Sequence, residues 1–523
     1  MKQFSSLIVV LLLTFATAQS LNSARPATTS SASWQANAVF YEVFVRSFQD
    51  SNGDGIGDFN GLTSRLDDLK DLGVTALWLM PIFPSPSYHG YDVTDYDAVN
   101  PQYGTMQDFE KLLEAAHERE MKVILDWIPN HSSREHQWFL ESRNPSSPKR
   151  DWYVWRKDNP GWKKPWGEFG NVWHSIDGFY YYGAFWEGMP DLNHRNPAVT
   201  AALNASAKTW LERGVDGFRV DAVRYILETQ TDNTPDTPEN IAWFEKFSSF
   251  VKSVKPEAAV VGEIWTDVGT VGKYMTGGSA NNLAFNFDMY KGIQDTVNSS
   301  KRGPAERILE NVAKAYPSSA IDALFISNHD QRRPKYFGNL KYRTAADLLL
   351  TLPGTPFLYY GEEIGMPNGP GNNDENKRTP MRWDDTANAG FSSRSPWYSF
   401  STDDKAITVK AQKALPGSLY NHYKNLIRLR QSQPALRAGG YQPIQAGERI
   451  MAFARTLEDS SIIVVINLDS DPGKAVMDLS SFAPGGVREL TMDKKLEPIT
   501  DANAKNYTIK MGRVGIVILE LGR

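Results

Sequence analysis

Three acids and an arginine, spread over four short islands, are the residues whose types and spacing could do chemistry. The islands are Asp126-Trp-Ile-Pro-Asn-His131, Gly217-Phe-Arg-Val-Asp221, Gly262-Glu263-Ile-Trp265 and Ser327-Asn-His-Asp330. A carboxylate held ionised can attack an anomeric carbon, and a carboxylic acid kept protonated can protonate the oxygen that leaves. Together they cleave a sugar acetal. The strand period of two sends Arg219 and Asp221 to one face and Phe218 and Val220 to the other. A guanidinium beside Asp221 favours its ionised form. Glu263, followed by Ile264 and Trp265, keeps more apolar company, which raises a carboxyl pKa and suits it to give a proton. Asp330 adds a third carboxylate, with His329 and His131 as donors to sugar hydroxyls. A lone acid at a strand end is more often a helix cap or an ion-pair partner. Independent caps do not account for an Arg-x-Asp and an Asn-His-Asp in register with strand ends.

Each island follows an apolar, strand-like run, so its polar group falls at the carboxyl end of a strand, where barrel enzymes keep their chemistry. Strands are expected over 39–45, 75–80, 122–126, 215–221, 259–263, 283–287, 320–327 and 355–359. Between them lie helix signals. Leu62, Leu66 and Leu69 recur at helical spacing until Gly73; Thr105 with Asp108 opens the stripe Phe109, Leu112, Leu113 and Ala116; Asn196-Pro197 is a cap followed by a first-turn proline. Strand-helix alternation favours a parallel sheet, and eight strands give an α/β fold of the (β/α)8 TIM-barrel type. The barrel is expected in two parts, 37–131 and 196–440.

Residues 132–195 carry many Trp, Tyr, Gly and Pro residues without helical periodicity, as a lobe inserted after strand three would. Trp152, Trp155, Trp162, Trp166, Trp173, Tyr180, Tyr181, Tyr182 and Trp186 are either that lobe's core or platforms for stacking sugars, and core is the expectation for most. From 441 to 523, strand-like runs at 462–468, 507–511 and 515–521, separated by Gly, Pro, Asp and Ser clusters, read as a small antiparallel β domain.

A chain of 523 residues with net charge -5 has no basic stripe for nucleic acid, and a neutral substrate fits better. Lys2, an apolar run from Leu7 to Phe15 and Ala16-Thr-Ala18 read as a signal peptide over 1–18, cleaved after Ala18. That run is shorter than the roughly 20 residues of a membrane span. The expectation is a secreted or periplasmic monomer, free of the membrane once the leader is removed, with a solvated linker over 19–36. The absence of cysteine leaves bracing to packing or metal.

A metal site is suggested by Asp50, Asn52 and Asp54 at positions one, three and five of a loop, glycine at six, Ile56 offering a carbonyl at seven and Asp58 at nine, the oxygen spacing of a calcium loop. Position twelve is Gly61 instead of a glutamate, and the flanks are a strand and a helix, so a helix-loop-helix sensor is not expected. The alternative is a solvated acidic turn, in which so many close acids would repel one another without a cation.

The four islands, taken together, resemble the ordered sequence regions of the α-amylase family, family 13 of the glycoside hydrolases. So do 74–81, Met189-Pro-Asp-Leu-Asn193 in the lobe, and Gly354-Thr-Pro-Phe-Leu-Tyr-Tyr-Gly-Glu-Glu363. The resemblance implies Asp221 as nucleophile, Glu263 as general acid/base and Asp330 as the acid that orients and distorts the ring. It also implies His89, His131, Arg219 and His329 as substrate-binding residues and Tyr91 as the platform under the sugar. Calcium is implied at Asp50, Asn52, Asp54, Ile56 and Asp58. Asn130 and Asp191, with the Tyr225 carbonyl, correspond to a second calcium site of many amylases.

Within the family, Tyr88-His89 stands where exo-acting α-glucosidases typically carry Asp-Asn, the pair whose aspartate clamps the terminal sugar. Its absence leaves room for a chain to continue and favours a retaining endo-acting α-amylase on starch and maltooligosaccharides. The lobe motif and Lys377-Arg-Thr-Pro-Met-Arg-Trp383 resemble oligosaccharide-active members. The alternatives are an exo-acting α-glucosidase or oligo-1,6-glucosidase, a transglycosylase, or a barrel that binds sugar without cleaving it.

Overall fold

The computed structural model describes residues 33–167, 170–229, 232–276, 282–334 and 339–522. Eight parallel strands close into a barrel: Phe40–Val43, Ala76–Leu79, Lys122–Trp127, Gly217–Val220, Ala259–Gly262, Leu283–Phe285, Ile321–Leu324 and Thr355–Tyr359. They follow one another round the ring in chain order, and each lies in a run whose residues are strand-formers. The pleat sorts their side chains. Phe40, Trp78, Ile124, Val261, Phe285 and Phe357 form a cluster of their own inside the barrel, with Phe40 and Phe357 stacked at 4.2 Å. Tyr41, Leu77, Leu79, Val123, Leu125, Phe218 and Val220 belong to the larger core under the helices.

Along three of the inward rows the chemistry changes from apolar to polar two residues further on. Phe40 is followed by Glu42, Ile124 by Asp126, and Val261 by Glu263, while Arg219 and Asp221 end the fourth strand's row. The apolar plug therefore forms a floor for a polar mouth. At the base of the fourth strand Gly217 has φ +146°, and a Cβ there would meet the Ala259 carbonyl at 2.1 Å. Only glycine lets the fourth and fifth strands approach so closely.

The helix signals hold with one correction. Thr105 and Asp108 make reciprocal capping bonds (3.2 and 3.0 Å), Asn196 caps Pro197–Glu212, and Gly73 ends its helix at φ 100°. The stretch expected as one helix from Leu62 is two, Phe59–Ser64 and Leu66–Leu72, meeting at Arg65. A second correction falls at the amino end. The linker expected to residue 36 gives way at Ser33 to a short helix, Trp34–Asn37, which closes the floor of the barrel. Trp34 Nε1 and Gln35 Nε2 both donate to the Glu257 carbonyl at 2.7 Å. The expected signal peptide and its cleavage point lie outside the described residues.

The lobe holds a three-stranded antiparallel sheet of Trp155–Arg156, Phe179–Tyr182 and Trp173–Ile176, and a helix, Gln137–Ser142, that its composition did not signal. Trp173, Tyr181 and Tyr182 are buried in it, whereas Trp166 and Trp186 are exposed. Beyond the barrel, eight antiparallel strands make a six-stranded sheet and a separate pair, Gly473–Met477 with Tyr507–Met511. Arg455 fastens this unit to the barrel by donating to the Thr351 carbonyl at 2.7 Å.

Candidate active site

Arg219 is the organising residue at the barrel mouth. Fully buried, it donates through Nη1 to Asp126 Oδ1 (2.7 Å) and Asp221 Oδ1 (2.5 Å), and its Nη2 lies 3.0 Å from Glu263 Oε1. Burial of a cation is costly, and three carboxylates around one guanidinium offset it. They do so while fixing the rotamers of all three acids.

Those acids have unlike environments. Burial pushes the Glu263 carboxyl up to about 7, with the charges of Asp221 and Asp330 adding to the effect and Arg219 opposing it. The sequence argument from apolar neighbours reached the right direction, although a guanidinium 3.0 Å away is part of the environment. Asp126 is likewise pushed up, to about 6, by burial. Asp330 behaves oppositely. Burial would raise it, but the His329 imidazole 3.0 Å away and Arg378 at 3.1 Å overcome that and hold it well below the usual carboxylate range.

His329 is the cation in that pair. Burial alone would lower it; Asp330 and Glu42 lift it to about 10. Tyr91 stacks on its ring (5.5 Å between centroids, 17°), and the Tyr91 hydroxyl sits 2.6 Å from His329 Nε2 and donates to Asp126 at 3.0 Å. Tyr91 is thereby locked with its ring along the cavity wall. His131 is kept neutral by burial, and its Nε2 has no hydrogen-bond partner among the described residues. That leaves a nitrogen free for a ligand hydroxyl. His89, pushed down to about 4 by burial, accepts from the Tyr91 amide at 3.1 Å.

The backbone takes part as well. Ala222, directly after Asp221, is left-handed (φ 53°, ψ 31°) and aims its amide at Glu263 Oε2 at 3.0 Å. A non-glycine residue in that region stores strain.

Asp221, Glu263, Asp330, Tyr91, His89 and His131 all open onto one cavity of about 620 Å³, and Arg219 lies beneath it. Its far walls are Trp166, Phe185 and Trp186 from the lobe and Trp265, which stacks flat on Phe287 (4.7 Å, 5°). The cavity can hold a sugar ring against Tyr91, present an ionised acid to one carbon and offer a proton from Glu263. Sequence reasoning missed Glu42, Arg378 and Asp374 here. Glu42 lay in a strand read only for its apolar residues, and Asp374 and Arg378 stand at the two ends of a single short 3-10 helix, Asp374–Lys377, too brief to give a periodic signal.

In the acidic loop, Asp50 is buried and accepts from the amides of Asn52, Gly53 and Gly55 and from Ser392 Oγ. Asp58 caps the helix Phe59–Ser64 through Gly61 N (2.7 Å), and Asn52 and Asp54 accept from the amides two residues on, with Ile56 the second of those donors. Among the described residues, no basic side chain pairs with Asp50, Asp54 or Asp58, and no three acidic or histidine side chains gather as metal ligands. Asp50 and Asp58 are buried carboxylates without basic partners, which a hard cation would neutralise, so the loop fits one, with the exposed Asp54 at its rim. At the lobe junction Asn130 donates to Asp191 at 3.0 Å, Asn130 Oδ1 has no partner, and burial drives Asp191 well up. This pair fits a cation for the same reason.

Comparison with known proteins agrees with this geometry. Residues 42–439 match the family model described as alpha amylase, catalytic domain. Alpha-amylase 3 of Dictyoglomus thermophilum is 42% identical over 444 residues, covering 83% of this chain and 85% of that protein. An oligo-1,6-glucosidase of Parageobacillus thermoglucosidasius is 33% identical over 507 residues, covering 83% and 90%. The crystal structure of an alpha-amylase from H. orenii superposes with TM-score 0.82 at 38% identity, covering 93% of this chain and 99% of that one. A mouth built on Arg219, a closed barrel beneath it and a family match across most of the chain lead to one conclusion: the protein belongs to the α-amylase family of glycoside hydrolases.

Proposed function

We propose that this enzyme is a retaining, endo-acting α-amylase that cleaves α-1,4 bonds in starch and maltooligosaccharides. The observation that carries the reading is that Asp221 and Glu263 share one guanidinium and one cavity, and that burial drives Glu263 toward the protonated state. Asp221 Oδ attacks the anomeric carbon as its bond to the glycosidic oxygen breaks, and the Glu263 proton passes to that oxygen, releasing a hydroxyl. Glu263, now ionised, takes a proton from water. The water oxygen then displaces Asp221 from the face the leaving group left, opposite the bond to Asp221, restoring the carboxylate and retaining the α configuration. Asp330, fixed by His329 and Arg378, grips the ring hydroxyls through the transition state.

Endo action is supported by the wall at Tyr88 and His89. Tyr88 makes its polar contact with Arg378, its hydroxyl 3.3 Å from Nη1, and its ring stacks on Trp397, so it offers no carboxylate to a chain end. The second reading, an exo-acting α-glucosidase or a transglycosylase, is favoured by the similarity to an oligo-1,6-glucosidase. Chromatography of a brief starch digest separates them. A ladder of mixed maltooligosaccharides from the first minutes supports endo action; glucose alone would overturn it, and no new reducing ends would overturn catalysis itself.

Calcium belongs to the same proposal, as a structural ion held by Asp50, Asn52, Asp54, the Ile56 carbonyl and Asp58, with a second at Asn130 and Asp191. Export through a signal peptide cleaved after Ala18 is the localisation we propose.

A further inference from the structure

Trp397 is half-buried and is not part of the lining of the catalytic cavity, yet its contacts converge on a residue that is. The indole stacks on Tyr88 (5.4 Å, 24°), meets Phe44 edge-on (6.0 Å, 87°) and has the Arg46 guanidinium 5.3 Å from its ring. Held on these sides, the ring has little freedom. Trp397 Nε1 donates to Ser47 Oγ (3.0 Å), and Ser47 Oγ donates in turn to the Arg378 carbonyl (2.5 Å). Tyr88 has its hydroxyl 3.3 Å from Arg378 Nη1, and the guanidinium carbon of Arg378 lies 5.7 Å from the Tyr88 ring centre. One route therefore steadies the backbone of Arg378 and the other its side chain. Arg378 in turn holds the catalytic loop: Nη2 lies 3.1 Å from Asp330 Oδ1, and Nε donates to the His329 carbonyl at 3.1 Å.

The backbone of Trp397 is tied the other way, to loop 50–58. Trp397 N donates to the Gly55 carbonyl at 2.8 Å, Asp50 N donates to the Phe391 carbonyl at 3.0 Å, and Ser392 Oγ donates to Asp50 Oδ2 at 2.6 Å. Segment 391–397 is thus laced to the loop at both of its ends. The approach is close. Gly55 has φ +92°, and a Cβ there would meet the Ser395 carbonyl oxygen at 2.4 Å, so a side chain at this position would push the segment away. Packing alone would call only for the apolar faces of Trp397. The donor chain through Ser47 and the backbone bond to Gly55 give it a direction, from loop 50–58 toward Arg378.

We propose that Trp397 is a positioning residue for Asp330: anchored on loop 50–58, it seats Arg378 by its backbone and its guanidinium, and so fixes the acid that Arg378 holds. The inference rests on the ring-gripping role given to Asp330 above and adds to it what keeps that acid in place. A displaced Arg378 is felt where the grip of Asp330 is tightest, in the transition state, and therefore in kcat more than in KM.

The test uses the full-length enzyme and the release of reducing ends from soluble starch, with the folded fraction of each variant taken from its unfolding curve. Trp397→Leu lowers kcat roughly 10- to 100-fold and leaves KM within about twofold. Trp397→Phe, which keeps a ring on Tyr88 and loses only the Nε1 donor, lowers kcat by roughly two- to fivefold. Gly55→Ala gives the same kind of loss from the loop side. The decisive measurement repeats these substitutions in Arg378→Met. With no guanidinium to seat, Trp397→Leu and Gly55→Ala there cost less than about twofold, because residues that act through one partner are not additive. The double variant Ser47→Ala, Tyr88→Phe, which removes both hydroxyls and leaves Arg378 in the chain, serves as a second such background. Simple destabilisation acts in every background, so equal losses with and without Arg378 overturn the proposal, as does parent kcat in Trp397→Leu. Parent kcat in Gly55→Ala overturns the anchor on loop 50–58. Parent kcat in Asp330→Asn instead overturns the role given to Asp330, and the positioning role with it.

Discussion

Glu42 Oε1 lies 2.6 Å from His329 Nδ1, and both side chains are buried in the barrel mouth. The pair links the first strand to the loop after the seventh, and the other ring nitrogen of His329 faces Asp330 and Tyr91. An imidazole between two carboxylates is a stable cation, and here its pKa reaches about 10, against burial. Glu42 thus positions the charge that orients Asp330 without touching the substrate itself.

Replacing Glu42 with Gln is expected to weaken that cation and misplace Asp330, lowering kcat roughly 10- to 100-fold with a smaller change in KM. The stability signature has a definite sign. His329 has a folded pKa raised above its unfolded value, so its contribution is fully present below about 6.5 and is lost as pH rises through about 10. The gap in unfolding free energy between parent and Glu42→Gln, roughly 1–3 kcal/mol, should be full at pH 6 and shrink toward pH 10. A gap independent of pH over that range would assign Glu42 to packing alone.

Glu263 sets the alkaline limit of catalysis. Its carboxyl titrates near 7, so the protonated form needed to release the leaving group disappears as pH rises through that value. Initial rates on starch should fall above about pH 7. Glu263→Gln is expected to cost 10²- to 10⁴-fold in kcat on starch, and much less in the first step with a substrate whose leaving group needs no proton, such as 2,4-dinitrophenyl α-maltoside. An equal loss on both substrates would remove Glu263 from the acid role.

Loop 50–58 separates two functions of its acids. Asp54 is exposed and accepts only from Ile56 N, whereas Asp58 also caps a helix. Chelation should lower the melting temperature of the parent by several degrees, through loss of a ligand that binds only the folded state. Asp54→Ala should start lower and no longer respond to chelator. Asp58→Ala should be about 1 kcal/mol less stable than Asp54→Ala in chelator, because the lost cap adds to the lost ligand. An unchanged melting temperature of the parent in chelator would leave the loop as a hydrogen-bonded turn.

The barrel was legible because its signals are local and periodic. Each of the eight apolar runs is long enough to show a strand, and the islands stand where those runs end. Asp221, Glu263 and Asp330 were placed on the same logic. The five other strands of the C-terminal domain were not legible, and Lys494–Ile499 shows why: four of its six side chains are exposed, and it contains a proline. As the outermost strand of its sheet it is defined by pairing with Gly485–Glu489, not by its own composition. Which of the lobe's aromatics are buried was not legible for a related reason. Its aromatics have no period, and only the fold separates the buried Trp173 from the exposed Trp186. Glu42 and Arg378 needed three dimensions, since each acts on a residue 48 or more positions away in the chain.

The strained backbone at Ala222 gives the last prediction. Its left-handed conformation places the amide 3.0 Å from Glu263 Oε2, so the strain is stored where it helps to hold the acid/base. Ala222→Gly keeps the amide and removes the clash that a Cβ suffers there, so it should stabilise the fold slightly, by about 0.5–1 kcal/mol. Ala222→Val cannot adopt that conformation at comparable cost. It should either lose about 1–2 kcal/mol of stability or relax the turn, withdrawing the amide and moving the alkaline limb of the pH profile above its parent value. The sign follows because a bond from the amide favours the ionised carboxylate, so removing it raises the Glu263 pKa. Thermal unfolding together with pH-rate profiles of the two variants decides the matter. If valine matched alanine in both measurements, the left-handed turn would carry no strain and would have no part in tuning Glu263.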